Sequence, residues 1–241
     1  MIASVIFGRG GSKGLPGKNT MELLNKIVME YPLMACKDSN LVDKMYVSTD
    51  SDDIAEVAKK YNCEYIRRPD YLSDDGALLQ DAIVHAAQEI KNINANLKYL
   101  IITMCNAPNI TVEAVNKGIK MLDDNNEYDS VITVGNYDMF APERARTPDE
   151  NGFLQPYVPF EAFNEEVTCD RKSHKPTFFA DGGMTIVRAE CLEDISKNLL
   201  PFQWMGKNIG YVEQLPGGGD IDYPWQIEAI KWWLKESGVA K

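Results

Sequence analysis

The run Ile2 to Phe7 is apolar except for Ser4 and breaks at once into Gly8-Arg9-Gly10-Gly11-Ser12-Lys13-Gly14-Leu15-Pro16-Gly17-Lys18-Asn19. A short, nearly continuous apolar run of this kind fits a strand buried on both faces, as in a parallel sheet covered by helices. The glycines and proline that follow cannot extend it. Glycines without side chains let backbone N–H groups approach a phosphate closely. Arg9, Lys13 and Lys18 add charge that a polyphosphate needs neutralised. A strand entering a glycine-rich cationic loop is where an open α/β sheet holds a phosphorylated ligand, so Arg9, Gly10, Gly11, Ser12, Lys13 and Lys18 are candidate nucleotide-triphosphate contacts.

Two familiar phosphate loops are excluded by counting. A P-loop needs G-x-x-x-x-G-K-[ST], but Gly17-Lys18 is followed by Asn19 and the first glycine position holds Ser12. The dinucleotide fingerprint G-x-G-x-x-G needs a glycine where Lys13 stands.

Strand and helix signals alternate through the first half. Strands are expected at Ile2–Phe7, Lys44–Ser48, Cys63–Ile66, Tyr99–Met104 and Asp129–Val134. Helices are expected at Ile27–Asp38, at Asp52–Tyr61 capped by Ser51 or Asp52, at Leu78–Lys91, and from a Thr111 cap to Leu122. This order predicts an α/β fold: a three-layer, Rossmann-like, mostly parallel sheet built from βαβ units. Between Gly135 and Phe179 prolines and charges break the pattern. A structureless stretch that long is unusual inside a compact domain, which leaves a functional excursion (a lid or a dimer arm) or a decorated surface loop. Strands at Met184–Val187 and Ile209–Gln214 and a helix from Trp225 to Glu236 follow, so residues 1–134 and 180–241 form the main domain and 135–179 an insertion.

With 241 residues and 44% hydrophobic content the chain can bury a large core. A net charge of −11 argues against nucleic acid or an anionic membrane as partner. No apolar run approaches the ~20 residues of a membrane span, and no basic segment precedes an apolar one as in a signal peptide, so a cytoplasmic location is expected. The five cysteines are scattered and form no C-x-x-C pair, which reads as reduced, buried thiols rather than a zinc site. His85 falls on a helix as a structural residue, and His174 lies in the excursion, where it could reach a ligand or a partner.

Near the end, Asp220-Ile221-Asp222 follows Gly217-Gly218-Gly219. In an extended chain residues two apart point the same way, so these carboxylates either share one Mg²⁺, a hard cation suited to oxygen ligands, or form a solvated acidic turn capping the last helix.

Arg9 to Asn19 resembles the signature of the sugar-acid cytidylyltransferases, the CMP-sialic acid (acylneuraminate) synthetases and, more distantly, the CMP-Kdo synthetases. The likeness continues in Val47-Ser48-Thr49-Asp50-Ser51, in Arg67-Arg68-Pro69-Asp70-Tyr71-Leu72 and in Asp220-Ile221-Asp222. It implies a nucleotidyltransferase fold whose inserted segment forms a homodimer and lends residues to the partner's site. It implies CTP and an acidic 2-keto sugar as substrates, and a CMP-sugar as product. It extends the nucleotide contacts to Asn19 and Arg68, Arg68 having a surface charge as its alternative, and carries the metal role onto Asp220 and Asp222. Catalysis would then need in-line attack on the α-phosphate, with Arg9, Lys13 and Asp222 steadying the developing charge.

The likeness fails where the sugar should sit. The family's L-Q-P-T-S-P-L-R-T stands here as Thr103 to Thr111, with Met104 for the glutamine and Ile110 for the arginine. The family's F-R-P-N-G is Phe178 to Gly182. Losing basic residues removes charge-assisted contacts to a carboxylate. The acceptor pocket is therefore expected to be altered and lined by Met104, Asn106, Asn109, Phe179 and Asp181, with Arg144 and Arg146 as substitute carboxylate partners. A nucleotidyltransferase of this fold that uses another nucleotide or a sugar phosphate, and a non-catalytic nucleotide-binding or regulatory protein, are the competing readings.

Overall fold

The computed structural model describes residues 1–11, 14–74, 76–163, 166–170 and 174–240. Ser12 and Lys13, both expected to touch the nucleotide, lie outside these described residues.

The chain begins with β1 (Ile2–Phe7), which its apolar run predicts. A small hairpin of β2 (Glu22–Leu23) and β3 (Lys26–Ile27) follows. Its turn residues Leu24 and Asn25 take φ of 49° and 65°, the left-handed pair that matches strand twist in a tight hairpin. Helix α1 therefore spans Glu30–Lys37 and not Ile27–Asp38 as expected, because Ile27 is held in the hairpin and Pro32 fits only a first turn. Next come β4 (Lys44–Thr49), α2 (Asp52–Lys59), β5 (Glu64–Arg67), α3 (Leu79–Ile93), β6 (Tyr99–Met104), α4 (Val112–Asp124) and β7 (Ser130–Asn136). Ser51 and Thr111 cap α2 and α4 through their side-chain oxygens, as the sequence predicts. A short hairpin, β8 (Arg146–Pro148) with β9 (Leu154–Pro156), lies in the excursion. Then come β10 (Phe178–Arg188), β11 (Ile209–Gln214) and α5 (Gln226–Glu236).

The main sheet runs β11-β7-β10-β6-β1-β4-β5. The pairings of β1 with β4 and β6, of β4 with β5, and of β7 with β11 are parallel. Strand β10 alone runs antiparallel, between β6 and β7. It begins six residues earlier than its apolar run suggests (Phe178 against Met184) because Gly182 and Gly183 sit in a register shift between Ala180 and Thr185.

Period-two alternation along β1 sends Ile6 to one face, under α1, α2 and α4, and Val5 and Phe7 to the other, under α3. This yields the three layers the element order implies. A third cluster packs α5 against the β2–β3 hairpin and includes Leu23, Tyr31, Ile221 and Trp233. Trp233 is 1% exposed and its indole N–H donates to Leu215 O at 2.9 Å. Trp233→Ala should therefore lower the unfolding free energy by roughly 3–5 kcal/mol in a urea titration. A loss below about 1 kcal/mol would mean that this cluster carries little of the fold's stability.

At the neck of the excursion, Tyr137 N donates to Thr177 O at 2.8 Å and Thr177 N donates to Asp138 Oδ1 at 2.9 Å. Strand β10 starts next, Phe178 opposite Asn136. No helix among the described residues is long and apolar enough to cross a membrane.

Candidate active site

Strand β1 feeds β4 on one side of it and is flanked by β6 on the other, so the chain changes direction at β1 and leaves a crevice above the carboxyl ends of β1 and β6. Two adjoining cavities open there. The first, about 420 Å³, is lined by Phe7, Gly8, Arg9, Gly14, Lys18, Asn19 and Arg68, among others. The second, about 850 Å³, takes in Phe179, Asp181, Asp220 and an aromatic wall. Lys18, Met104, Asn106 and Asp222 border both.

Each side chain has a local reason for its place. Gly8 follows the last residue of β1, and a Cβ there would lie 2.5 Å from Cys105 Sγ, so only glycine lets the chain leave the sheet at this point. Gly10 N donates to Asp50 Oδ1 at 2.9 Å, so its amide is held by the loop after β4 rather than presented outward. Asp50 thereby takes a loop-holding role, and of the two expected caps Ser51, not Asp52, caps α2. Gly11 is exposed beside it. Arg9 Nη1 donates to Asp74 O at 3.1 Å, which sets the guanidinium at the cavity rim. Asn19 is buried and its amide donates to Arg9 O at 2.9 Å, so it shapes the glycine-rich loop from below.

Arg68 is not a surface charge. It is 6% exposed, donates to Ser48 O at 2.8 Å, and lies 5.9 Å from the Phe7 ring centre. Burial lowers its pKa, opposed by the Asp50 carboxylate.

The acidic pair hangs on Ile221. This side chain is fully buried in the cluster under α5, and its N–H donates to Asn106 O at 2.8 Å. Fixing Ile221 inward leaves the carboxylates on either side of it at the cavities. Gln226, which sequence reasoning did not single out, accepts from Asp222 N at 2.7 Å and Tyr223 N at 2.8 Å and so braces the loop. Only its place in the first turn of α5, just after the D-x-D, hints at this role. Lys18 Nζ is ion-paired with Asp222 Oδ1, and Asn106 Nδ2 donates to the same oxygen at 3.2 Å. Asp220 packs against Gly182, and its Oδ1 is buried without a hydrogen-bond partner among the described residues. Burial, then the Asp222 charge, raises its pKa to about 6, with Lys18 pulling the other way. A buried, unpartnered carboxylate oxygen two residues from a second carboxylate is a donor set that fits a hard divalent cation.

The expected acceptor residues divide. Met104, Asn106, Phe179 and Asp181 all border the larger cavity. Asn109 does not. It is fully buried, and its amide donates to Asp181 O at 2.9 Å, so it acts as an internal brace. Ile110 is likewise fully buried in the core and faces no ligand. Asp181 accepts from Thr133 Oγ1 at 2.6 Å, Gln214 Nε2 at 2.9 Å and Gly183 N at 3.0 Å. Burial raises its pKa against those bonds. Arg144 and Arg146 border a separate cavity with Phe160 and His174, so within one chain they do not reach the larger cavity. Arg146 instead donates to Glu143 O and Ala145 O, each at 2.9 Å. His85 lines a surface groove with Asp81 and Glu193 and borders neither cavity.

All five thiols are free. Burial pushes Cys36, Cys63 and Cys105 up to about 12 and Cys191 to about 11, while Cys169 is exposed. A disulfide reagent at pH 8 should therefore label Cys169 fast and the fully buried Cys36 and Cys105 only on unfolding, since a thiol of pKa about 12 is about one ten-thousandth thiolate there. Fast native labelling of Cys105 would contradict its burial.

A family model for cytidylyltransferases matches residues 3–151. The N-acylneuraminate cytidylyltransferase of Escherichia coli is 35% identical over 85 residues, 35% of this chain and 20% of that protein. The CMP-N,N'-diacetyllegionaminic acid synthase of Campylobacter jejuni is 33% identical over 95 residues, 37% of this chain and 40% of that one. The matches thus span well under half the length of these curated relatives. Two solved structures share the fold along nearly the whole chain. A CMP:2-keto-3-deoxy-manno-octonic acid synthetase complexed with CTP has a TM-score of 0.68 at 16% identity, covering 98% of this chain and 99% of that one. The 4-diphosphocytidyl-2C-methyl-D-erythritol synthase of Anaerococcus prevotii has 0.62 at 12%, covering 97% and 96%. With the family model matching well over half of its residues, and the glycine-rich loop opening that match, this chain belongs to the cytidylyltransferase family.

Proposed function

We propose that the protein transfers the cytidylyl group of CTP to a hydroxyl of an acidic, 2-keto, nonulosonic-type sugar. The products would be pyrophosphate and a CMP-activated sugar for cell-surface glycan synthesis. The observation that carries this reading is the border shared by the two cavities. Lys18, Asn106 and Asp222 stand where a nucleotide α-phosphate in the smaller cavity would meet a hydroxyl in the larger. The acceptor oxygen forms a bond to the α-phosphorus, the bond to the β-phosphate oxygen breaks, and the hydroxyl proton passes to solvent.

We propose that Arg9, Lys13 and Lys18 bind the phosphates together with Gly11 and Ser12, that Gly10 contributes by fixing the loop, and that Arg68 adds charge from beneath. Arg9 and Lys13 would steady the departing pyrophosphate, and positioning and charge neutralisation would do most of the catalytic work. Asp220 and Asp222 would hold Mg²⁺, which when bound supplies Lewis-acid neutralisation of phosphate charge. Asn106 and Gln226 keep Asp222 oriented.

The excursion over 135–179 would join two copies into a homodimer. Its exposed Phe153, Leu154 and Tyr157, each more than 60% accessible, are surface of the kind that a second subunit covers. Free thiols and the need for CTP favour the cytoplasm.

Melting temperature measured with CTP, UTP, ATP and GTP, each with and without Mg²⁺, tests the donor, because ligand binding to the folded state raises it by mass action. A rise selective for CTP is expected. Equal rises, or none, would remove the cytidylyl reading.

A further inference from the structure

Three glycines in a row, Gly217 to Gly219, carry the chain from the end of β11 to Asp220. Gly217 and Gly219 take φ of 93° and 155°, and no residue has more conformational freedom to lose than glycine. The two carboxylates beyond this run are not held alike. Asp222 is braced from its far side: Gln226 accepts from its amide, and Asn106 and Lys18 bind its carboxylate. Asp220 lacks such braces. Its Oδ1 rests against Gly182, and its backbone is set by Ile221 on one side and by the glycine run on the other.

The Tyr137 hydroxyl holds the run. It accepts from Gly217 N at 2.6 Å and lies 3.4 Å from Gly218 O. Among the described residues no other hydrogen bond reaches the backbone of Gly217, Gly218 or Gly219. Asn109 packs beneath Gly218, where a Cβ would stand 2.8 Å from its Nδ2, but it makes no hydrogen bond to the run.

Tyr137 is itself fixed. Its amide donates to Thr177 O at the neck of the excursion, and its ring stacks on Phe140 at 6.1 Å and meets Phe179 edge-on at 6.0 Å. The ring leans over Gly135, where a Cβ would lie 2.7 Å from its Cε2. Gly135 pairs with Gln214, the last residue of β11. The side chain thus crosses from the root of the excursion to the segment that leaves β11.

Resting on the cytidylyl-transfer reading, we infer that Tyr137 is a positioning residue for the metal. Its hydroxyl fixes Gly217 and Gly218, sets where the Asp220 carboxylate stands, and so ties the acidic pair to the neck of the excursion. Groups that orient metal ligands from behind typically govern affinity by tenfold to a hundredfold, on the order of the ligands' own supports elsewhere.

Tyr137→Phe tests this, because it keeps the ring contacts and removes only the hydroxyl. Binding of Mn²⁺ to the CTP complex, read by electron paramagnetic resonance of the free ion, is compared among the parent protein, Tyr137→Phe and Asp222→Asn. The CTP-induced rise in melting temperature is recorded on the same preparations. Tyr137→Phe should weaken Mn²⁺ binding by at least about tenfold, with a ligand-free melting temperature close to the parent's. Excess Mg²⁺ should restore its pyrophosphate release toward the parent rate, a rescue that a loosened fold would not show. Unchanged Mn²⁺ affinity in Tyr137→Phe beside a weakened one in Asp222→Asn overturns the inference and leaves the nucleotide reading standing. So does a weakening that comes with a fallen ligand-free melting temperature or resists excess Mg²⁺. Unchanged affinity in both variants overturns the metal assignment and the inference with it. A parent protein without a CTP response overturns the inference and the cytidylyl reading together.

Discussion

Asp222→Asn should lower kcat/KM for pyrophosphate release by about a thousandfold, near 4 kcal/mol of transition-state stabilisation. The variant keeps the size of the side chain and the backbone braces: Ile221 stays buried under α5, and Gln226 still accepts from the amides of residues 222 and 223. What it removes is one full negative charge at the border of the two cavities, where a carboxylate faces Lys18 and Asn106. Neutralisation of phosphate charge is usually the largest single contribution to this class of reaction. The melting temperature should stay close to that of the parent protein, because the Asp222 side chain is half exposed and its ion pair contributes little to stability. Turnover near the parent value at saturating CTP and Mg²⁺ would remove Asp222 from the chemistry.

The second large effect is expected at Lys18, in two opposite directions. Its ammonium now neutralises the carboxylate proposed to hold the metal. Phosphates entering the smaller cavity would compete for that ammonium and release Asp222. Lys18→Met should therefore weaken CTP binding by roughly tenfold to a hundredfold, the loss of one charge-assisted contact. It should also strengthen binding of Mn²⁺ to the nucleotide-free protein, read by electron paramagnetic resonance of the free ion. In the parent protein Mn²⁺ should bind weakly alone and tightly with CTP, since the coupling between two ligands is reciprocal. If Lys18→Met weakens CTP binding but leaves Mn²⁺ affinity unchanged, the ion pair does not gate the metal site.

How far the sequence reaches depends on how local each determinant is. Strand β1 and helices α3 and α4 are read almost to the residue, because apolar periodicity and side-chain caps act within a few positions. The β2–β3 hairpin is hidden, since its turn uses Leu24 and Asn25 in left-handed conformations without a glycine to announce them. The direction of β10 is equally hidden. A strand after a long excursion carries no local mark of which way it runs, and two glycines mask its first half. At the site, residues flanking strand ends are legible: Arg9, Lys18, Asn106 and Asp222 all border one crevice. Asn109, expected at the cavity, lies beside Ile110 on the turn into α4, where a single residue decides between cavity wall and core. Gln226 is invisible because its role is a bond to backbone four residues away, made only by how α5 docks.

The neck at Tyr137 and Thr177 has a bearing on how proteins of this shape diversify. One backbone hydrogen bond fixes the separation of the two strands that leave and re-enter the sheet, whatever chain lies between them. To the sheet, the segment is a closed loop whose contents are free to vary, and doubling its length adds only about 0.6 kcal/mol of closure entropy. Its near end nonetheless bears on the larger cavity through Tyr137 and Phe140. One stretch of gene can thus be rebuilt, part of a cavity wall included, while the strands beneath are left untouched.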